Sequence, residues 1–389
     1  MIPSLDALLA PHDPALLHAA IRERRMAWFR TGHDDLFRAL LPWSTFNSLL
    51  GSERLLDDRT RMVRRGRDLP REMWSYLGPD MKRVVVPELL QRFCHEGLSI
   101  ALNQIQHAVP GIAALVKMLE QALPARIGTN VYASFGRESA FRAHHDPHDV
   151  LVLHLHGRKR WFGFGHQSAH PPGMPLTDDR LGPVHWEQVL EPGDILYLPR
   201  GEIHRASVEG EASLHLTNAL LWPRGSDLLH WLAGNGLAGN GLAAGDLDRD
   251  IPVYGTASDL ERCAEELRAT LHRLADSVDL TAFLAAHIQK RQTRPPFNLG
   301  LSSDCAPTCW VQPLPAPDLR LPAEGGATIP FNGEEVTLDP DERAVLAALL
   351  AGGARQIASL PGPAGLDMER VRDTVARLAR RSLVLLTEG

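Results

Sequence analysis

Phe141-Arg-Ala-His-His-Asp-Pro-His-Asp149 leads straight into Val150-Leu-Val-Leu-His-Leu-His156 and, past Gly157, into Lys159-Arg-Trp-Phe-Gly-Phe164. Further short apolar runs follow at Asp194-Ile-Leu-Tyr-Leu198 and Ser213-Leu-His-Leu-Thr217. Many short strands with Gly and Pro turns between them predict a sandwich or barrel. Side chains alternate between the faces of a half-buried strand, so His144 and Asp146 share a face. A third imidazole, His204, ends the stretch Glu191-Pro-Gly-Asp-Ile-Leu-Tyr-Leu-Pro-Arg-Gly-Glu-Ile-His204. Two imidazoles and one carboxylate on one side of a ferrous ion leave three coordination positions open. His-x-Asp alone is a weak pattern, and Gly193-Asp194 and Pro199-Arg-Gly201 read equally well as plain turns around a strand. The combination is stronger: His-x-Asp before a strand, Gly157-Arg-Lys-Arg-Trp161 after it, then turn, strand, turn and His.

Outward from this core, residues 1 to about 125 read as helices, with Leu89, Leu90, Phe93, Leu98 and Ile100 at apolar spacings. Near residue 225 the composition shifts. Ala233-Gly-Asn-Gly-Leu237 is repeated as Ala238-Gly-Asn-Gly-Leu242, the pattern of a connector. Residues 257–290 then read as helices, closed by Pro295-Pro296. Ala327 to Leu338 has the pattern of a hairpin around Asn332-Gly333. Asp339-Pro-Asp-Glu342 is a helix start with cap, first-turn proline and capping-box glutamate. A second helix over about 367–381 and a strand over Leu383–Leu386 complete a winged-helix-like pattern.

The chain has 389 residues, too many for one compact core, and its 44% apolar and 23% charged residues are those of a globular protein. A net charge of -6 argues against nucleic acid as a partner. No apolar stretch is long enough to span a bilayer, and no secretory signal is evident, so a cytoplasmic location is expected. Cys94, Cys263, Cys305 and Cys309 include one close pair, but a structural zinc site needs four ligands; ordinary thiols are the simpler reading.

These motifs, together with Asn130-Val-Tyr132 fourteen residues before His144, resemble the JmjC-type ribosomal oxygenases, which are cupin-barrel protein hydroxylases dependent on Fe(II) and 2-oxoglutarate. The resemblance covers about residues 85–222. It implies an α+β multidomain chain: a double-stranded β-helix (cupin/JmjC) barrel with N-terminal helices over 1–225, a helical dimerisation region over 226–300 and a winged-helix-like domain over 301–389. It implies that His144, Asp146 and His204 hold Fe(II) and that Lys159 pairs with the distal carboxylate of 2-oxoglutarate. Asn130 and Tyr132 fall in the cosubstrate or substrate pocket. Ser213, His215 and Thr217 share a strand face that lines the barrel interior in the family, although alternation alone leaves an outer face equally open. His145, His148, His154 and His156 match no family role. The implied partners are a protein or peptide substrate, a ribosomal protein first among them, and a second copy of the chain. Other readings stay open: hydroxylation of a ribosomally made peptide natural product, demethylation by hydroxylation, a cupin enzyme that uses metal without 2-oxoglutarate, or a non-enzymatic winged-helix regulator on a degenerate cupin.

Overall fold

The computed structural model describes residues 2–387 apart from 52–58, 80, 137–140, 167–180, 233–250, 253–255, 277, 291–297, 299–304, 316–318 and 332–333. Two compact units result, one made of residues 1–221 with 292–389, the other of residues 222–291. The first unit opens with α1 (Leu5–Leu9), α2 (Pro14–Glu23), β1 (Ala27–Arg30), α3 (Asp34–Leu40) and α4 (Trp43–Leu50). Then come β2 (Thr60–Arg64), β3 (Arg67–Asp68), β4 (Ser75–Leu77), β5 (Arg83–Val85), α5 (Pro87–His95), β6 (Ser99–Leu102) and α6 (Pro110–Ala122). The barrel strands proper are β7 (Arg126–Phe135), β8 (Asp149–His166), β9 (Trp186–Leu190), β10 (Asp194–Leu198) and β11 (Glu202–Leu221).

Among the described residues, nine strands form one sheet in the order β1-β10-β8-β11-β7-β6-β2-β3, with β9 also on β8. The two apolar runs Val150–His156 and Lys159–Phe164 are halves of the single strand β8, folded over at Gly157. Gly157 has φ +69°, and a Cβ there would lie 2.0 Å from the Ala212 carbonyl oxygen, so only glycine permits the fold. The fold-over packs Val150 and Val152 of the first half with Trp161 of the second, around Leu190, Leu196 and Leu198. The opposite face of β7 and β11, with Val131, Ala133, Leu214 and Leu216 buried, meets α6, which is apolar almost all round.

Residues 1–125 are less helical than their periodicity predicts. β1 pairs with β10, and β2 and β6 extend the sheet beyond β7. Helix α5 stops at His95, Gly97 takes φ +91°, Leu98 is a buried connector and Ile100 lies in strand β6. Every residue of β6 is buried, so its apolar run carries no period of two, and such a run cannot be told from a buried helix by pattern.

In residues 292–389, β12 (Trp310–Pro313) lies between β15 (Arg355–Gln356) and β16 (Val384–Thr387), and β13 (Ala327–Phe331) pairs with β14 (Glu334–Leu338). The turn residues Asn332 and Gly333 lie outside the described residues. α10 (Pro340–Gly352) starts as expected: Glu342 N donates to Asp339 Oδ1 at 2.8 Å and Asp339 N to Glu342 Oε2 at 3.1 Å. α11 (Pro361–Ala364) and α12 (Met368–Arg380) follow. This body rests on the barrel through buried Gln312, whose Nε2 donates to the Ala114 carbonyl of α6 at 3.1 Å. Cys305 and Cys309 form no disulfide and are buried in its apolar core. The unit over 222–291 contains α7 (Gly225–Trp231), α8 (Ala257–Asp276) and α9 (Leu280–Lys290), joined by Leu232, Leu274 and an edge-to-face pair of Trp231 with Phe283. The Gly-Asn repeat and Pro295-Pro296 lie outside the described residues. No helix among the described residues is long and apolar enough to cross a membrane.

Candidate metal centre

His204 sits near the start of β11, and His144 and Asp146 lie on the loop that enters β8. The two histidines are not in a common ladder with Asp146, as strand alternation predicts. They form an isolated antiparallel bridge with each other, His144 N to His204 O at 3.1 Å and His204 N to His144 O at 2.8 Å. One turn on, Gly201 N donates to the Asp146 carbonyl at 3.2 Å. The outcome is the cluster the spacing pointed to: one ligand atom from each of His144, Asp146 and His204 lies within 4.8 Å of the others. His204 Nε2 is 3.7 Å from Asp146 Oδ2, and the two imidazole centroids are 4.5 Å apart.

The tautomers suit a metal. His144 Nδ1 lies 2.9 Å from the Arg142 carbonyl and His204 Nδ1 3.0 Å from the Glu202 carbonyl. A carbonyl only accepts, so each Nδ1 carries its proton and each Nε2 presents a lone pair. Burial, and the neighbouring His144, push the His204 pKa down to about 4, which keeps the ring neutral and ready to ligate.

A second polar group lies inside the barrel. The face of β11 that carries Ser213 and His215 points inward, against Tyr132 and Ser134 of β7 and His154 of β8. His215 stacks on Tyr132 at 5.3 Å and on His154 at 6.3 Å, and it meets the edge of Trp161 at 5.5 Å. Trp161 also lies 5.7 Å from the His204 ring, so it joins this group to the metal cluster. Lys159 is buried, with Nζ donating to Ser134 Oγ at 2.8 Å; Ser99 donates to the same oxygen at 2.8 Å. No carboxylate pairs with Lys159 among the described residues, and burial pushes its pKa down to about 7. Its neighbours face away: Arg158 pairs with Glu191 and Glu209, and Arg160 with Glu187 and Glu209, on the outer face.

Asn130 and Tyr132 stand on the inner face of β7, where Asn130 Oδ1 accepts from Gln104 N at 3.0 Å. Thr217 pairs in register with Asn130 and with Val152. His154 donates through Nε2 to the Gly157 carbonyl at 3.0 Å, and burial pushes its pKa down to about 3; His215 is likewise held well below its usual range by burial. His156 reaches the Leu41 carbonyl instead, and His145 is buried beside the ligands. Ser134, Ser99 and the Trp161 ring were not singled out from the sequence. Ser134 shares the two-residue alternation of Asn130 and Tyr132, which is the signal that places it.

A two-histidine, one-carboxylate cluster beside a buried unpaired cation, inside a folded-over antiparallel sheet, defines a metal-binding barrel of the cupin class. Residues 101–228 match the family model of the JmjC domain. The chain is 32% identical over 198 residues to the protein named bifunctional lysine-specific demethylase and histidyl-hydroxylase NO66 of Aedes aegypti, covering 48% of this chain and 28% of that one. It is 29% identical over 228 residues to ribosomal oxygenase 1 of Rattus norvegicus, covering 54% and 35%. The chain thus spans about a third or less of these curated relatives. Among solved structures it is similar to Escherichia coli ycfD, at 16% identity and a TM-score of 0.53 over 100% of both chains. It is also similar to the E. coli ribosomal oxygenase YcfD in complex with cobalt and 2-oxoglutarate, at 16% identity and a TM-score of 0.50 over 98% of this chain and 99% of that one. At that identity the likeness establishes the fold.

Proposed function

We propose that this chain is an Fe(II)- and 2-oxoglutarate-dependent oxygenase that hydroxylates a side chain of a protein or peptide, a ribosomal protein being the leading class of target. The observation that carries the reading is the pairing of an open His144–Asp146–His204 donor set with a buried, uncompensated Lys159 in one barrel. Neutral Nε2 donors and one carboxylate suit a ferrous ion and leave positions open. A buried ammonium with no carboxylate is costly unless a ligand supplies the anion, and the far carboxylate of 2-oxoglutarate is such a partner. When bound, iron and 2-oxoglutarate together supply oxidising power toward a C–H bond from dioxygen.

The chain's own residues set the geometry. His144 and His204 hold their Nε2 atoms inward because the Arg142 and Glu202 carbonyls fix the Nδ1 protons. Ser134 holds Lys159 Nζ, and Ser213, His215 and Thr217 wall the pocket beside it. Val150, Val152, Leu196 and Leu198 keep water from the inner end. The names of the relatives support hydroxylation of proteins; hydroxylation is proposed here over demethylation, which some of those names include.

A DNA-binding role for the last body is disfavoured by its arginines. Arg370 pairs with Asp341, Arg377 with Asp339 and Arg381 with Glu342, so three of the five arginines over 370–381 spend their charge within the chain. We retain the winged-helix-like reading of this body and the division at 225 and 300 as proposals. The deciding experiment is 2-oxoglutarate turnover to succinate by the protein with added Fe(II), followed by mass spectrometry of ribosomal proteins from cells with and without the gene. Turnover absent under these conditions, with correctly folded protein, would remove the oxygenase reading.

A further inference from the structure

The metal cluster is bordered by a basic edge of the sheet. One cross-strand row runs inward from solvent: Arg61 of β2 stands opposite Ala101, Ala101 opposite Tyr132, Tyr132 opposite His215 and His215 opposite His154. Arg61 is exposed, Tyr132 half-buried and the two histidines buried, so the row leads from the surface to the interior. The hairpin of β2 and β3 also touches the ligand loop. The Arg142 side chain lies across Gly66 in the hairpin turn, leaving no room there for a Cβ, while the Arg142 carbonyl holds the His144 ring.

Charge concentrates on this edge. Residues 57–96 contain nine Lys or Arg and seven Asp or Glu, a balance of +2 in a chain whose net charge is -6. Arg61 pairs with Asp68, and Arg64 with Glu96; exposed Arg59, Arg67 and Arg142 have no carboxylate partner among the described residues. Scattered exposed arginines are ordinary, but a segment opposite in sign to the rest of the chain makes a local field that selects partners. Immediately along the chain, the separate two-stranded sheet of β4 and β5, with the turn before it and the connection between its strands, exposes Met73, Tyr76, Leu77, Met81 and Val84. Tyr76 and Leu77 are neighbours on opposite faces, so each face of this hairpin carries an exposed apolar side chain, while Ser75 at its start is buried. A nucleic-acid platform presents stacked aromatics; here four of the five exposed side chains are aliphatic, which suits a polypeptide.

We propose that the β2–β3 and β4–β5 hairpins form a docking rim for an acidic, partly apolar segment of the polypeptide substrate, next to the residue presented to the metal. This rests on the reading that the substrate is a protein or peptide and narrows it, because it selects for Asp and Glu around the target. The test is selection of a random peptide display library on the immobilised full-length protein loaded with Co(II) and 2-oxoglutarate, with sequencing of the recovered pool. Two variants run in parallel: Arg59→Glu with Arg67→Glu, and the milder Arg59→Gln with Arg67→Gln. Co(II) and 2-oxoglutarate binding are measured separately on each preparation.

The expected result is roughly two-fold enrichment of Asp and Glu by the unmodified protein, none by the Glu variant and an intermediate value for the Gln variant. Cofactor binding stays unchanged throughout. Enrichment of Lys and Arg, or equal enrichment by all three proteins, overturns the proposal. So does tighter binding of a single-stranded RNA dodecamer than of any recovered peptide, which would make the rim a nucleic-acid surface. Loss of Co(II) and 2-oxoglutarate binding in the unmodified protein would instead overturn the oxygenase reading and leave the rim to be judged on its own enrichment.

Discussion

His144 and His204 exchange both of their backbone hydrogen bonds, at 3.1 and 2.8 Å, so two ligands 60 positions apart are clamped by main chain before any metal arrives. Because the clamp does not use the side chains, the rings can be removed without undoing it.

His144→Ala, Asp146→Ala and His204→Ala should therefore each abolish Co(II) binding and iron-dependent turnover while the melting temperature shifts by only a few degrees. An open three-ligand site has no spare donor. Calorimetric titration with Co(II) checks it, and a single variant with undiminished affinity would contradict the ligand set.

Lys159→Ala should raise the 2-oxoglutarate requirement by the equivalent of about 2–5 kcal/mol, because the dianion then enters a buried site without its cation. Arg158→Ala and Arg160→Ala remove surface pairs with Glu191, Glu209 and Glu187 and should shift the requirement far less. Titrating 2-oxoglutarate against the three variants separates them; equal shifts in all three would place the cosubstrate elsewhere.

The same lysine gives the pH dependence its sign. Burial lowers its pKa from 10.5 to about 7, so above pH 7 the free protein holds it neutral, among His154, His215 and Ser134. A dianionic ligand favours the charged form and must bring a proton with it. Calorimetry in two buffers of different ionisation enthalpy should show about one proton taken up per 2-oxoglutarate at pH 9 and close to none at pH 6. For folding, the unfolded chain holds this proton between about pH 7 and 10.5 where the folded chain does not, so Lys159 contributes stability that rises with pH across that window. Lys159→Met should accordingly gain more in melting temperature at pH 6 than at pH 10.

A homodimer formed through residues 226–300 is the expected assembly. Leu229, Leu260, Leu271, Val278, Leu280 and Leu284 are exposed on the helical unit, more apolar surface than a solvated helix pair needs. Light scattering at working concentration should give twice the chain mass, and Leu260→Asp with Leu271→Asp should halve it.

Some of this protein is decided by local chemistry and is legible in the residues. Asp339, Pro340 and Glu342 start a helix because a short side chain, a fixed φ and a returning carboxylate satisfy the first amides whatever surrounds them. The His-x-Asp spacing and the distant His204 point to the proposed donor set because those ligand types suit a ferrous ion. Other features depend on contacts between residues far apart in the chain. Alternation says that Ser213, His215 and Thr217 share a face, but only the fold-over of β8 at Gly157 makes that face the inside. β6 is buried on both faces, which removes the period that would have marked it as a strand. Lys159 is basic in any context; its burial beside Ser134, with no carboxylate among the described residues to meet it, exists only once β7 and β8 lie on either side of β11, because the dielectric around a charge is a property of the packed barrel.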